Sequence, residues 1–540
     1  MEPKVIPWWK NAVVYQIYPL SFQDSNQDGI GDLNGIAMHL NYLKQLGVDV
    51  IWLSPVYRSP MDDNGYDISD YYAIDPIFGT MDDFKRLLQG VHERGMRLIM
   101  DLVVNHTSDE HVWFQEARKA KTNRFRDYYI WRDEPNPPIG SVFSGSAWEL
   151  DPLTNQYYFH LFSKKQPDLN WENPALRAEI YKMINFWLDL GIDGFRLDVI
   201  DLIGKDMKRG WLCDGPYLDE RLKELHDACF AGRDILTVGE TPCLSIERVK
   251  QVTNAKHPLL TMVFQFGHVG LDEVPGQGKW ALKKLDLVEL KRYFKTMQNE
   301  LHGQGWNSLF WANHDQPRAV SRYGNLRFRK ESAKMLATVL YGMEGTPYVY
   351  QGEEIGMTGV RFESLDSYQD IETKNMYREK REQGWSHERI MESIYAKGRD
   401  NSRTPMQWDA SQNAGFTKGT PWLEVNPNHK AINVVSDLAD QDGVYAYFQT
   451  LFELRKQLPV FAEGSFELLF ETDPDLFVYV RETHDDKILV VGSYLDHIKK
   501  VSFDFAKEAV CLLSNQASVA LGENTVLPPY YAGIYRLKKA

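Results

Sequence analysis

The chain has 540 residues, of which 43% are hydrophobic, 13% aromatic and 25% charged, a balance that suits a globular protein with a large core and one or two accessory domains and excludes a disordered, collagen-like or disulfide-scaffold chain. A formal net charge of -14 with no local run of Lys or Arg repels polyphosphate and anionic surfaces, so neither nucleic acid nor a membrane is expected as a partner. Cys213, Cys229, Cys243 and Cys511 are dispersed without CxxC spacing and read as buried thiols rather than a zinc site, the opening Met1 to Lys10 has no apolar core for export, and no segment approaches a membrane span, so a cytoplasmic location is expected.

In chain order, short apolar runs alternate with helical patterns, the strand candidates being 13–18, 50–55, 97–104, 194–199, 235–239, 260–266, 308–312 and 347–350. Eight parallel strands joined by crossover helices imply the α/β class and a closed (β/α)8 TIM barrel. The helix at 175–190 shows the local logic: Leu176, Ile180, Ile184, Trp187 and Leu188 share one face, Asn173 caps, Pro174 sits where a missing N–H is harmless, and Gly191 ends it. The stretch 106–172 is too long for a connection and reads as a subdomain inserted after strand three, rising over the C-terminal face of the barrel. After about residue 460 short alternating runs suit a small antiparallel β-sandwich domain. The expected division is therefore 1–105 with 173–460 for the barrel, 106–172 for the insert and 461–540 for the last domain.

Barrel enzymes build their sites at the C-terminal strand ends, and these ends are acidic and aromatic. Strand four ends in Gly194-Phe195-Arg196-Leu197-Asp198, strand five in Gly239-Glu240, strand seven in Asn313-His314-Asp315, while strand three adds Asn105 and His106 and the second loop Asp63, Tyr66 and Asp67. Three carboxylates on three strand ends fit cleavage of a glycosidic bond, one acting as nucleophile and another as acid. The alternative for Asp198 is a purely structural pair with Arg196, for His106 and His314 a satisfied core histidine, and for Phe143 and Phe162 simple packing.

The segments DLVVNH (101–106), GFRLD (194–198), VGE (238–240) and NHD (313–315) resemble, in order and context, the motifs of the alpha-amylase superfamily of glycoside hydrolases. With QPDLN (166–170) and the opening 8–19, the chain is similar over nearly its whole length to the branch of oligo-1,6-glucosidases and glucan 1,6-alpha-glucosidases. The resemblance implies Asp198 as nucleophile, Glu240 as general acid/base and Asp315 as transition-state stabiliser, with retention of configuration. It also implies that Asp63, Tyr66, His106, Arg196, His314 and Arg399 surround the terminal glucose, with Phe143 and Phe162 as apolar walls and Glu372 at the leaving-group side, an exposed helical Glu being the alternative for Glu372.

Oxygen-bearing side chains alternate through Asp24, Asn26, Asp28 and Asp32 with the Ile30 carbonyl between the last two, a calcium-loop spacing. Gly35 at the twelfth position excludes an EF-hand, and a solvated turn is the alternative. The resemblance implies a structural Ca2+ held by Asp24, Asn26, Asp28, Ile30 and Asp32, with Mg2+ left open.

Val199 follows the nucleophile; in similar chains Val there accompanies alpha-1,6 cleavage and Thr alpha-1,4 cleavage, although a β-branched residue is also expected at a buried strand end. The loop 201–216 is short, Pro242 replaces a Trp and Val274 a Lys of related long-substrate enzymes, and Gly267 replaces a Glu common in the branch. The reading is a monomeric exo-acting alpha-glucosidase on isomaltose and short isomaltooligosaccharides. The rival is trehalose-6-phosphate hydrolysis, motivated by RAVSRYG (318–324) and needing cations such as Lys164 and Lys165 for the phosphate. Alpha-1,4 glucosides or sucrose come next, and a catalytically dead transporter partner last, because the acids are intact.

Overall fold

The computed structural model describes residues 6–539; the Met1–Val5 part of the opening read for an export segment lies outside them. All eight expected barrel strands form: β1 (Val14–Ile17), β2 (Val50–Leu53), β3 (Arg97–Leu102), β4 (Gly194–Leu197), β5 (Leu236–Glu240), β6 (Met262–Phe264), β7 (Ser308–Leu309) and β8 (Thr346–Tyr350). They pair in parallel in the order β6-β5-β4-β3-β2-β1-β8-β7, and a parallel bridge between Val263 and Asn307 brings β6 against β7 to close the barrel. The period of two divides the side chains cleanly. Val14, Val50, Trp52, Ile99, Val238, Met262, Phe264 and Tyr348 fill the barrel interior as one apolar cluster, while Tyr15, Ile17, Ile51, Leu98, Met100 and Phe195 face the helices.

One step further along the inward faces the residues turn polar: Gln16, Asp101, Arg196 and Glu240, all buried. Apolar floor and polar ceiling are thus consecutive layers of the same strands, which puts the charged groups at the C-terminal face. Register fixes who meets whom, since Arg196 lies beside Asp101 of β3 and Val238 of β5. Gly194 starts β4 at φ +136°, where a Cβ would sit 1.8 Å from the Leu236 carbonyl oxygen, so no other residue enters this strand without displacing β5.

Helix α1 (Pro174–Leu190) forms with the expected punctuation: the Asn173 side chain accepts from Ala175 and Leu176 N–H, and Gly191 adopts φ +108°. Between β3 and α1 the insert carries a three-stranded antiparallel sheet of Trp131–Arg132, Gln156–Phe159 and Trp148–Asp151. The C-terminal region forms a five-stranded antiparallel sheet in the order Ser465–Leu469, Leu476–Glu482, Lys487–Ser493, Ala532–Arg536, Val510–Ser514, with a two-stranded sheet of Lys499–Val501 and Thr525–Leu527 beside it. Its second strand, Leu476–Glu482, is buried on both faces: Phe477 and Tyr479 join the main core, whereas Leu476, Val478 and Val480 form a core with Phe503 and Leu527. No helix among the described residues is long and apolar enough to cross a membrane.

Two expectations are corrected. Cys213 and Cys243 are joined by a disulfide, leaving Cys229 and Cys511 as free thiols. Thirty residues separate them in sequence, and it is the barrel, bringing the loops after β4 and β5 side by side, that makes them neighbours. Val199 is not a strand-end residue selected by propensity: β4 ends at Leu197, and Val199 stands at φ +34°, a left-handed conformation that a β-branched side chain resists.

Candidate active site

Arg196 organises the polar layer. Its Nη1 contacts Asp101 Oδ1 at 2.6 Å and Asp198 Oδ1 at 2.7 Å, and its Nη2 contacts Glu240 Oε2 at 2.6 Å. The guanidinium is 1% exposed, so the charge is desolvated and strongly felt by all three acids. Burial pushes the Asp198 carboxyl well above the usual range, Arg196 pulls it back, and the Glu240 and Asp101 carboxylates add to the rise. Asp198 and Glu240 thus lie on one guanidinium, from two neighbouring strands. The Asp198–Arg196 pair is real, but it does not close the barrel alone, because the same cation holds the strand-five acid.

Asp315 has the opposite environment. Its Oδ1 takes Arg403 Nη2 at 2.7 Å and Arg399 Nη1 at 3.3 Å, and its Oδ2 lies 3.1 Å from His314 Nε2. Burial favours the neutral acid, yet His314, Arg399 and Arg403 outweigh it and hold the carboxyl well below its usual value.

A wall of polar groups stands next to these acids. Arg399 Nη2 bridges Asp63 Oδ1 at 2.9 Å and Asp370 Oδ1 at 2.5 Å, with Phe143 under its guanidinium, 4.9 Å from the ring centroid. Gln166 Nε2 donates to the other Asp63 oxygen at 3.1 Å, and His106 Nε2 donates to the Tyr66 carbonyl at 3.0 Å. Burial lowers the His106 imidazole to about 4, so it is neutral near pH 7. The Tyr66 ring stacks on His314 at 5.0 Å while its hydroxyl donates to Asp101 Oδ2 at 3.0 Å. Phe162 lies 5.3 Å from His106 and 5.6 Å from Phe143, so both rings belong to this wall. His106 and His314 are satisfied core histidines and members of the site at once. Val199 N–H reaches Glu240 Oε2, and Glu372 Oε2 takes Lys279 Nζ at 2.5 Å and Arg399 Nε at 3.5 Å.

Sequence reasoning passed over Asp370, Arg403, Asp101 and Lys279. Asp370 also caps the helix α2 (Ile371–Glu382), accepting from Thr373 N–H at 3.0 Å, so its role at Arg399 is masked by an ordinary capping pattern. Lys279 stands five residues after Val274 in the same loop and supplies a cation at the rim. Lys164 and Lys165 border a cavity of about 840 Å³ whose lining includes Phe143 and Phe162 but none of the three acids. Lys165 is paired there with Asp109 at 3.0 Å. The glycine at 267 has a packing cause, since a Cβ would fall 2.3 Å from Tyr293 Cε2.

In the loop 24–32, Asp24 Oδ1 accepts from Asn26 N–H, Asn26 Oδ1 from Asp28 N–H and Asp28 Oδ1 from Ile30 N–H, three successive turns that coil the chain around its own oxygen atoms. Gly29 N–H and Thr417 Oγ1 reach Asp24 Oδ2, and Asp32 accepts from Ser25. Every candidate donor is oxygen, and the Ile30 carbonyl accepts no hydrogen bond among the described residues. This set fits a hard dication, not a soft one.

The family profile described as alpha amylase, catalytic domain, matches residues 16–464. The chain is 54% identical to an oligo-1,6-glucosidase of Halalkalibacterium halodurans over 98% of each chain. It is 53% identical to a glucan 1,6-alpha-glucosidase of Streptococcus pneumoniae over 97% of this chain and 98% of that one. The crystal structure of a Bacillus licheniformis trehalose-6-phosphate hydrolase superimposes with a TM-score of 0.93 at 46% identity, covering 99% of this chain and 100% of that one.

Proposed function

Because this chain belongs to the alpha-amylase family, we propose that it is a retaining exo-acting alpha-glucosidase that hydrolyses alpha-1,6 bonds at the non-reducing end of isomaltose and short isomaltooligosaccharides. The observation that carries the chemistry is the single guanidinium of Arg196 shared by Asp198 and Glu240, with Asp315 held ionised nearby. In this reading Asp198 attacks the anomeric carbon while Glu240, as general acid, protonates the departing glycosidic oxygen. The glucosyl ester on Asp198 is then opened by a water from which Glu240 takes a proton, and two inversions give retention. Asp315, kept anionic, binds sugar hydroxyls and favours the positive charge of the transition state.

The Asp63–Arg399 contact at 2.9 Å supports exo action, because a charged bridge across the pocket end leaves room for a terminal residue only. Phe143 and Phe162 suit the apolar face of a pyranose. Val199 supports the alpha-1,6 preference, and the exposed Pro242 in place of a Trp supports short substrates. Trehalose 6-phosphate is the second reading, favoured by the 46% identity to a hydrolase of that name. Against it, Lys165 is already neutralised by Asp109, and the cavity bordered by Lys164 and Lys165 excludes the catalytic acids.

Asp24, Asn26, Asp28, the Ile30 carbonyl and Asp32 are proposed to hold Ca2+, whose role is to fix the loop between β1 and the barrel's outer layer. Chelation should lower Tm and added Ca2+ restore it, with Asp28→Ala blind to both. A monomer in the cytoplasm completes the proposal, tested by sedimentation and fractionation. The deciding experiment for the activity is initial glucose release from isomaltose, isomaltotriose, dextran, maltose, sucrose, trehalose and trehalose 6-phosphate at equal concentration. Preference for the isomalto series supports the reading, and activity confined to trehalose 6-phosphate replaces it with the second.

A further inference from the structure

The disulfide between Cys213 and Cys243 crosses the mouth of the barrel. Cys243 is three residues past Glu240, and Cys213 lies in the loop that leaves Asp198. Their Cα atoms are 6.2 Å apart, Cys213 is half-buried and Cys243 is exposed, which places the bridge at the edge of the protein rather than in its core. Behind them is a carboxyl that the hydrolytic chemistry does not use. Asp201 is 0% exposed; its Oδ2 accepts from Cys243 N–H at 2.9 Å and its Oδ1 has no hydrogen-bond partner. A carboxylate oxygen of Asp201 and both sulfurs lie within 4.8 Å of one another.

An unpaired buried carboxyl oxygen is costly, and a structural disulfide has no need of one. Thiol–disulfide exchange does: it creates and consumes a thiolate, and a proton donor beside the leaving sulfur accelerates it. We propose that Cys213 and Cys243 are a reversible thiol–disulfide site, served by Asp201 as proton relay, whose state sets the position of the two loops that receive the leaving-group sugar. Burial holding the Asp201 carboxyl up at about 7 matches it to proton exchange near neutral pH.

A thiolate of a small thiol attacks the sulfur of Cys243, the exposed residue of the pair, a mixed disulfide forms, and Cys213 leaves as a thiolate that takes the Asp201 proton. A second thiolate attacks the small-molecule sulfur of the mixed disulfide and releases Cys243 as a thiolate, which takes a proton from water, as does the Asp201 carboxylate. The products are two protein thiols and one small disulfide, and a small disulfide such as that of a cellular thiol buffer drives the reverse. In a reducing compartment such bridges are typically transient or sensing rather than structural. Once the bridge opens, the loop 201–216 keeps its backbone contact from Asp214 N–H to the Asp201 carbonyl and the Arg248–Asp214 ion pair, but loses the disulfide cross-link to the segment that carries Pro242.

The thiol half of the inference stands by itself, and the kinetic half rests on the proposed glucosidase function. The purified protein is equilibrated in glutathione buffers of stepped ratio, thiols are counted with a chromogenic disulfide, and hydrolysis of isomaltose is compared with that of p-nitrophenyl alpha-glucoside. The expected result is a reversible change of two thiols, absent in Cys213→Ser and Cys243→Ser. KM for isomaltose should shift at least about threefold with that change, while kcat for the aryl glucoside, which makes few contacts beyond its glucose, moves less than about twofold. Asp201→Asn should slow the exchange about tenfold or more at pH 7. Two thiols that never oxidise, a bridge that resists reduction in the folded protein, or identical kinetics in both states would overturn the inference. Absence of hydrolysis in both states, with the thiols still titrating, would instead refute the glucosidase reading alone.

Discussion

The backbone N–H of Val199 donates to Oε2 of Glu240 at 3.0 Å from a residue held at φ +34°. A β-branched residue in that region is strained, and strain of this kind persists where surrounding structure enforces it, commonly at sites of chemistry. Here the turn aims an amide at the strand-five acid immediately after the strand-four acid, tying the two acids by backbone as well as through Arg196.

Val199→Thr keeps the branched shape, the turn and the backbone donor, while placing a hydroxyl beside the leaving-group side. The ratio of kcat/KM for isomaltose over maltose should fall about tenfold, equivalent to about 1.4 kcal/mol of discrimination. Steady-state kinetics on the two disaccharides read this directly, and an unchanged ratio would remove Val199 from the account of linkage.

The two acids are distinguishable by chemical rescue. Asp198→Ala should lose at least about 10⁴ in kcat and, with azide in its place, yield beta-glucosyl azide. Glu240→Ala on an activated aryl glucoside should yield the alpha anomer, because the glucosyl ester still forms. Proton NMR of the products assigns each role, and an exchange of the two anomers would swap the assignments.

Asp370 anchors Arg399 through Oδ1 and caps a helix through Oδ2, so Asp370→Asn retains most of the cap and removes the charge. With Arg399 left short of a counter-ion, the protein should lose about 3 kcal/mol of stability. A small displacement of the Arg399 fork should also cost about 100-fold in kcat/KM. Denaturant melts and kinetics on isomaltose test the two effects separately.

Several imidazoles are buried neutral: burial lowers His39 and His106 to about 4 and His111 and His268 to about 3. Unfolded, each would titrate near 6.5, so between about pH 6.5 and 4 the unfolded chain binds more protons and stability falls as pH falls. For His106 alone the window is worth about 3 kcal/mol. Tm should therefore drop steadily below about pH 6.5, and His268→Gln should flatten the drop; a flat profile in the parent protein would contradict the burial of these rings.

The strands, α1 with its caps and the three acids were legible because each rests on local chemistry: alternation along a strand, Asn173 before Pro174, acids directly after apolar runs. What stayed hidden depends on closure of the barrel. Asp101 and Glu240 meet at Arg196 only because β3, β4 and β5 are neighbours in register, and Cys213 meets Cys243 for the same reason. Asp370 and Arg403 come from beyond the last barrel strand, and Lys279 faces Glu372 across 93 residues, a separation that a single sequence does not resolve. The conformation of Val199 was hidden differently, because its residue type argues for the opposite backbone region.

The strand Leu476–Glu482, with one face in the barrel's core and the other in its own, leaves no seam along which the chain divides. Phe477 and Tyr479 pack into the main core, and Tyr479 donates its hydroxyl to the Val339 carbonyl, inside a helix whose residues from Ser332 to Tyr341 are all buried. Heat cannot melt the last sheet and spare the barrel without exposing that helix to water. The two regions therefore share one cooperative transition, and damage to the terminal sheet, far from any sugar, is felt as loss of the catalytic scaffold itself.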